Sequence, residues 1–523
     1  MPVHPDPTPS DLSDRLATRL DTHGITASAV GLFYQGHLIA QHQRGLADRE
    51  RQQPITAATR FRLCSLTKQF TAELTLRCAE QGMIALDAPL TAFGRDQGLP
   101  WAPRAPSLRQ LLSGLSGVRD HWATLMICGY RPEDQTPTHW PARDWQRLCS
   151  LQFEPGTQFC YSNTAYHLAA QVLEQASGQS FLELLQERLL EPLGLESLYW
   201  AADTGANEPA LATGYEGERV AKVAIRWGAD AALTGTIGAF EPWERYCAEK
   251  ARLDPEEGLY QPIRLADGTR SSYGLGVRYR QVQGTDLYYH GGALRGFRCA
   301  RVHDPAAGYS VVLLANDMID AENIALAILA DCSPDTPSAT PHPTVPNDAL
   351  TASTPNTWLH APTGLAAVIE DHTVRVSQLR FAVTASTTRA AAVTFDDGTR
   401  QLRLQLPDSG IDWTFAAVPE APAQSHWIEH GLPRSYRCDA LTAELIVTTD
   451  AHGMPSAQFS IAGRNGERYP MLPLGRDLWH LPCERALDHP APGCWTLSRD
   501  PATDTLRLST WLSRDWHFTP VRD

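Results

Sequence analysis

The chain has 523 residues, 43% of them hydrophobic and 20% charged, which excludes a small stapled module, a disordered chain and a low-complexity one. That length leaves room for roughly three or four domains. With 45 Lys and Arg against 59 Asp and Glu, the net charge of −14 repels phosphate backbones and anionic lipid, so no nucleic-acid or membrane-surface partner is expected.

The opening Met1-Pro2-Val3-His4-Pro5-Asp6 has no basic or apolar leader region, and the longest apolar runs are of the Val311-Val312-Leu313-Leu314-Ala315 kind. Neither a secretion signal nor a membrane span is expected. The 11 cysteines are odd in number and never spaced as CxxC, which speaks against a disulfide framework or a zinc module and for reduced thiols in a cytoplasm. Alternation in Ala29-Val30-Gly31-Leu32-Phe33 and Leu38-Ile39-Ala40 about Tyr34-Gln35-Gly36 predicts a β-hairpin as the first element. Apolar residues at three- and four-residue spacing then predict helices over 66–81, 165–176 and 181–190, followed by a strand over 310–315 and a helix over 321–330. Strands at both ends and helices between them predict an α+β layer arrangement in which both ends feed one sheet.

Composition changes at 333–356, where Pro334, Pro337, Pro341, Pro343, Pro346 and Pro355 sit among serines and threonines, an extended linker. Short alternating runs follow, at Val374-Arg375-Val376, 391–395, 402–406, Leu445-Ile446-Val447 and Phe459-Ser460-Ile461, with Asp397-Gly398 and Asn465-Gly466 as turn pairs. A second break at Pro419 and Pro422 divides this all-β part into two small antiparallel barrels. The expected plan is a catalytic domain at 1–334, a linker at 335–356 and barrels at 357–420 and 421–523.

Three motifs carry chemistry. Only Lys68, Lys222 and Lys250 are lysines, so a step that needs a neutral amine has three candidates, because arginine stays protonated. Ser65-Leu66-Thr67-Lys68 puts a hydroxyl and an amine about one helical turn apart, where a lysine made neutral by burial can take the serine proton. Tyr161-Ser162-Asn163 adds a phenol that can relay a proton to a leaving group and an amide that can donate to a substrate carbonyl. His290-Gly291-Gly292, after the strand Leu287-Tyr288-Tyr289, lets an edge strand come close to a ligand and offer an N–H as half of an oxyanion hole. Each of the first two motifs alone is expected by chance about 0.2 times; all three once each and in this order fall to a few per cent, of order.

This constellation resembles the penicillin-recognising serine hydrolases, the superfamily of class C β-lactamases, D-alanyl-D-alanine peptidases and related esterases. Residues 62–70, 116–122 and His290-Gly291-Gly292-Ala293-Leu294-Arg295-Gly296-Phe297-Arg298-Cys299 are similar to its D-stereospecific aminopeptidases, as is a catalytic domain followed by two small barrels. The resemblance implies a β-lactamase/transpeptidase-like α+β domain and release of an N-terminal D-residue such as D-Ala from small peptides, amides or esters through an acyl-enzyme. It also implies no metal or cofactor, and it allows a homodimer. Its catalytic set would be Ser65, Lys68, Tyr161, Asn163 and His290, with the N–H groups of Ser65 and Ala293 as oxyanion hole. Asp488, on the loop Glu484-Arg485-Ala486-Leu487-Asp488-His489-Pro490-Ala491-Pro492-Gly493-Cys494 of the last barrel, would receive the substrate ammonium inside the cleft. Gly292 and Arg278 complete the substrate-binding set; Arg278 follows Tyr273-Gly274-Leu275-Gly276-Val277, where the family carries a neutral asparagine, and would compete for Asp488. Enzymes of the superfamily that grip a substrate carboxylate usually do so with Lys-Thr-Gly on this strand. Here His290, Gly291, Gly292 and Ala293 supply neither lysine nor hydroxyl, which disfavours carboxypeptidase and β-lactamase readings. Esterase or β-lactamase-like hydrolysis, and a dead ligand-binding protein, are the alternatives.

Overall fold

A computed structural model describes residues 9–521 apart from 128–145, 147, 202–209, 222–227, 254–256, 283, 334–356, 371–372, 377–378, 383–391, 397–400, 407–408, 419–434, 450–454, 462–463, 476 and 484–492. Helix α1 (Pro9–Thr22) precedes the hairpin, which the sequence reading had placed first. Its buried stripe is thin, Leu12, Leu16 and Leu20 at a spacing of four, and so gives a weak periodic signal. The hairpin β1 (Ser28–Tyr34) and β2 (His37–Arg44) turns at Gln35 and Gly36, both with positive φ (47° and 80°), as a two-residue loop between twisted strands requires.

After helices α2 (Thr67–Glu80), α3 (His121–Ile127), α4 (Asn163–Ser177) and α5 (Glu241–Leu253) come strands β3 (Arg278–Val282), β4 (Thr285–Leu294), β5 (Phe297–Asp304) and β6 (Tyr309–Ala315), then α6 (Ala321–Cys332). The sheet is antiparallel, in the order β3-β4-β5-β6-β1-β2, with β1 and β6 in register from Ser28↔Ala315 to Tyr34↔Tyr309. Both ends of this unit therefore meet in the middle of one sheet, as expected. Its two faces are both covered: Ala29, Phe33, Val312 and Leu314 face the helical core, while Val30, Leu32, Val311 and Leu313 pack with α1 and α6. Strand β6 is buried from Ser310 to Ala315, which explains an apolar run without clear alternation.

Two expectations need correction here. Strand β4 is not an edge strand, because β3 covers it; that pairing ends at Tyr289, so only His290–Leu294 extends past its neighbour. Residues 181–190 are not one α-helix: Phe181–Leu185 runs into a π-helical turn at Gln186–Leu190.

The all-β part forms two sheets built on one plan. Among the described residues, seven strands between Thr357 and Ala417 run in the order 4-3-2-1-7-6-5, and nine between Ser435 and Pro520 run 4-3-2-1-9-8-7-6-5. In each the first strand pairs with the last, and the sheet curls around a separate core, Trp358, Leu402, Trp413 and Phe415 in one and Tyr436, Trp479, Trp495 and Phe518 in the other. Gln401–Leu406 and Ile411–Ala417 alternate buried and exposed; the first of them is the run read from the sequence at 402–406. Asn465-Gly466 is not a turn but lies within the strand Arg464–Pro470, beside a register shift at Gln458/Ser460, where Gly466 O accepts from Gln458 Nε2 at 2.9 Å. The predicted linker, the Asp397-Gly398 turn and the Pro419/Pro422 break lie outside the described residues.

The second barrel grips the first unit through the turn at 510–515. Asp120 N–H donates to Leu512 O at 3.2 Å, Arg119 Nη2 to Arg514 O at 2.8 Å, and the Thr124 and Ser513 hydroxyls are 2.9 Å apart. The Arg514 guanidinium sits 4.8 Å over Trp413 of the first barrel and 5.4 Å from Trp511, tying all three units together.

Candidate active site

Ser65 lies in a 3₁₀ turn, Cys64–Leu66, that leads into α2 rather than in the helix itself. The residue before it, Cys64, holds a left-handed φ of 49°, a strained conformation for a side chain with a Cβ. Strand β4 presses against this turn. A Cβ on Gly292 would lie 2.3 Å from Cys299 Sγ and 2.8 Å from both Cys64 Cβ and Leu63 O, so the glycine is what lets the strand approach. Gly291 is likewise bare, with Glu322 Oε1 2.1 Å from where its Cβ would stand.

One turn along α2, Lys68 is fully buried. Its Nζ lies 3.2 Å from Ser65 Oγ, 2.8 Å from Asn163 Oδ1 and 3.0 Å from Asp230 O. A neutral amine has two N–H bonds and one lone pair; donating to the two carbonyl oxygens leaves the lone pair for Ser65. Burial pushes the Lys68 ammonium below its ordinary range, against the pull of Asp230, Tyr273, Asp120 and Cys64. Tyr161, just before α4, donates to Ser65 Oγ at 2.8 Å, and burial pushes its phenol up. The Ser65 hydroxyl thus stands between an amine and a phenol.

Asn163 begins α4, two residues ahead of the predicted start, with the Ser162 hydroxyl accepting from Ala165 N–H as the cap. Its N–H and Nδ2 both reach Asp120 Oδ2, at 2.7 and 2.9 Å, which turns Oδ1 toward Lys68. The amide is therefore engaged with Lys68 through Oδ1 and with Asp120 through one of its two Nδ2 hydrogens. His290 Nε2 is 2.8 Å from Tyr273 Oη, and the Tyr273 ring meets both Tyr161 (6.0 Å between centroids) and His290 (5.6 Å) edge-on. Burial, with the Arg278 and Lys68 charges, holds His290 well below the usual imidazole range, so it is neutral.

These side chains open into a cavity of about 450 Å³ that Ser65, Tyr161, Asn163, His290, Gly292, Ala293 and Arg278 all line. Arg278 does not stand alone in it: its Nε is 3.9 Å from Glu322 Oε1, and that carboxylate, against the cost of burial, keeps the guanidinium charged. Of the predicted loop, Glu484–Pro492, with Asp488, lie outside the described residues; Gly493 and Cys494 begin the strand Gly493–Arg499, paired with Cys483 and Pro482. These nine residues join two paired strands. A larger cavity of about 740 Å³ among Asp87, Arg104, Arg109 and Glu154 holds no nucleophile beside a base, and both arginines are paired with those carboxylates.

Sequence reasoning gave no role to Asp120, Tyr273, Asp230 or Glu322, nor to Leu406, Ser409, Trp511 and Leu512, through which both barrels line the cavity. Asp120 stood inside the family-like stretch 116–122 and Tyr273 inside the Tyr-Gly-x-Gly motif, so both carried a signal. A lone aspartate or tryptophan far along the chain has none.

Comparison with known proteins adds three findings. The β-lactamase family matches residues 12–331, and domain B of the D-aminopeptidases matches residues 356–519. The D-aminopeptidase of Gluconobacter oxydans is 32% identical over 520 residues, covering 94% of this chain and 95% of that protein; that of Brucella anthropi is 28% identical over 516, covering 95% of each. Among solved structures, the octameric penicillin-binding protein homologue from Pyrococcus abyssi superposes with a TM-score of 0.52 at 16% identity, over 97% of this chain and 99% of that one. D-amino acid amidase from Ochrobactrum anthropi SV3, complexed with D-phenylalanine, does so with a TM-score of 0.50 at 21% identity, over 62% of this chain and 98% of that one.

Proposed function

This chain belongs to the β-lactamase family and, along nearly its whole length, to the D-aminopeptidases, and from that premise we infer that it is a serine hydrolase releasing an N-terminal D-amino acid from small peptides, amides or esters. The observation that carries the inference is the junction at Ser65 Oγ, 3.2 Å from a buried amine and 2.8 Å from a half-buried phenol. Lys68 takes the Ser65 proton as Oγ bonds to the substrate carbonyl carbon, and the N–H groups of Ser65 and Ala293 hold the oxygen. The C–N bond then breaks, Tyr161 delivers a proton to the departing amine, and the same pair activates water to free the D-amino acid. Asn163 keeps Lys68 aimed, His290 holds Tyr273 against Tyr161, and Asp488 receives the ammonium.

Strand β4 supports a ligand without a carboxylate at this point, having neither lysine nor hydroxyl from His290 to Ala293. The domain plan belonging to this reading keeps the catalytic unit at 1–334, the linker at 335–356 and the barrels at 357–420 and 421–523; two separate barrel cores support it. Cytoplasmic work fits the buried free thiols of eight cysteines, and no helix among the described residues is long and apolar enough to cross a membrane. Assembly as a homodimer is part of the same reading.

Turnover of D-alanine p-nitroanilide, L-alanine p-nitroanilide, nitrocefin and a short-chain ester, with intact mass after a rapid quench, tests the proposal. The expected result is preferred cleavage of the D-anilide with a stoichiometric D-alanyl adduct on Ser65. Equal use of both enantiomers, or faster opening of nitrocefin, overturns it in favour of an esterase or β-lactamase; neither turnover nor an adduct with any substrate means a dead binding protein.

A further inference from the structure

The carbonyl of Asp230 is one of the two that receive the Lys68 N–H groups, and its side chain has its own partner. Its carboxylate is fully buried, with Oδ1 2.9 Å from His167 Nε2 and 3.2 Å from Gly228 N, while Oδ2 accepts no hydrogen bond among the described residues. His167 stands one turn beyond Asn163 on α4, so the helix that brings the amide to Lys68 also brings an imidazole to the carboxylate behind it. Gly228 closes on that ring: a Cβ there would lie 2.6 Å from His167 Cε1.

A carboxylate this near a catalytic amine poses a problem, since an anion favours the ammonium and a base must be free. We propose that His167 is a positioning residue for acyl transfer, which fixes the Asp230 carbonyl under Lys68 and neutralises the Asp230 carboxylate so that the Lys68 amine is free to take the Ser65 proton. The proposal rests on Lys68 being the base of the reading above.

Among the described residues, His167 is the basic side chain that meets the Asp230 carboxylate. Around Lys68, Asp230, Tyr273, Asp120 and Cys64 favour charge, His121 and His290 stand near it as neutral rings, and the rings of Tyr161 and Tyr166 stand 4.9 and 5.3 Å from Nζ. Around Asp230 stand Lys68, His121, His167 and Tyr161. Burial, with the His167 and Lys68 charges, pushes His121 down to about 3, so that ring is neutral, and it faces His167 edge-on at 5.1 Å. Burial alone would raise the Asp230 carboxyl; His167, followed by Lys68, draws it well below the carboxylate range.

The test is the pH dependence of Ser65 labelling by an alkyl fluorophosphonate, which needs an activated serine but no D-residue. His167→Gln removes the cation and leaves the Asp230 anion to stabilise the ammonium, so the acid limb is expected to move to higher pH, on the order of one unit or tenfold in rate below the limb. Asp230→Asn keeps the carbonyl and removes the anion, so its limb is expected to move to lower pH, and the double variant to return near wild type. A uniform fall in labelling with the limb unmoved, or a shift in one direction for both variants, overturns the proposal. Should Asp230→Asn fail to fold, His167→Gln decides alone, an unmoved limb overturning the proposal. A wild type that labels normally but releases no D-alanine defeats the substrate reading, and the labelling profiles still judge the pair.

Discussion

Lys68 and Arg301 are both buried basic side chains of the catalytic unit, and Gln69, next to Lys68 on α2, accepts from Arg301 Nη1 at 3.3 Å. Arg301 is clamped in a two-pronged pair with Glu244, at 2.6 and 2.8 Å, with Tyr260 Oη 3.2 Å from two of its nitrogens and the Ser310 hydroxyl donating to Glu244 at 2.7 Å. Burial opposes its charge, yet Glu244 and Tyr260 drive its proton affinity far above the ordinary value. Lys68 instead faces an amide oxygen, a backbone carbonyl and a hydroxyl, and burial prevails. Equal burial thus yields a fixed strut in one place and a usable base in the other; direct contact with a carboxylate makes the difference.

Exchange of the two chemistries should break the comparison most sharply at Lys68. Lys68→Arg keeps the charge and loses the lone pair, so kcat/KM for a D-alanine anilide should fall about 100- to 10,000-fold with little change in the urea midpoint. A near-normal rate would make Lys68 a strut like Arg301. Arg301→Met should do the reverse: an uncompensated Glu244 costs about 3 to 5 kcal/mol in denaturant unfolding, while activity per folded molecule remains close to wild type. The smallest effect is expected at the barrel loop, where Asp488→Asn removes a charge-assisted contact to the ammonium worth about 1.5 to 3 kcal/mol, a loss of roughly 10- to 150-fold in kcat/KM for free-amine substrates. N-acetylated substrates should be indifferent to that change, and equal losses on both would separate Asp488 from amine recognition. Arg278, read from sequence as a competitor for Asp488, has Glu322 as its described counter-charge.

Legibility followed distance along the chain. Ser65 and Lys68 were readable because one helical turn joins them, and the hairpin at Gln35-Gly36 because two residues make it. Tyr161 and His290 were readable as short motifs, but that Tyr161 reaches Ser65 across 96 positions, and that His290 acts on it through Tyr273, is visible only in space. Helix α1 escaped because three leucines on a polar helix give a narrow stripe, and Asn465-Gly466 misled because a turn-prone pair can also sit inside a strand where register shifts.

The sequence by itself determined the α+β class and the alternation of the barrel strands, which follow from side-chain periodicity, and set Ser65 one helical turn from Lys68. Tertiary structure alone decided that Asp120 turns Asn163, that His167 meets Asp230 behind Lys68, and that Trp511 and Leu512 wall the cleft. The physical reason is that charge, desolvation and hydrogen bonding act through space over a few ångströms, and which groups fall within that reach depends on how elements far apart in the chain are packed.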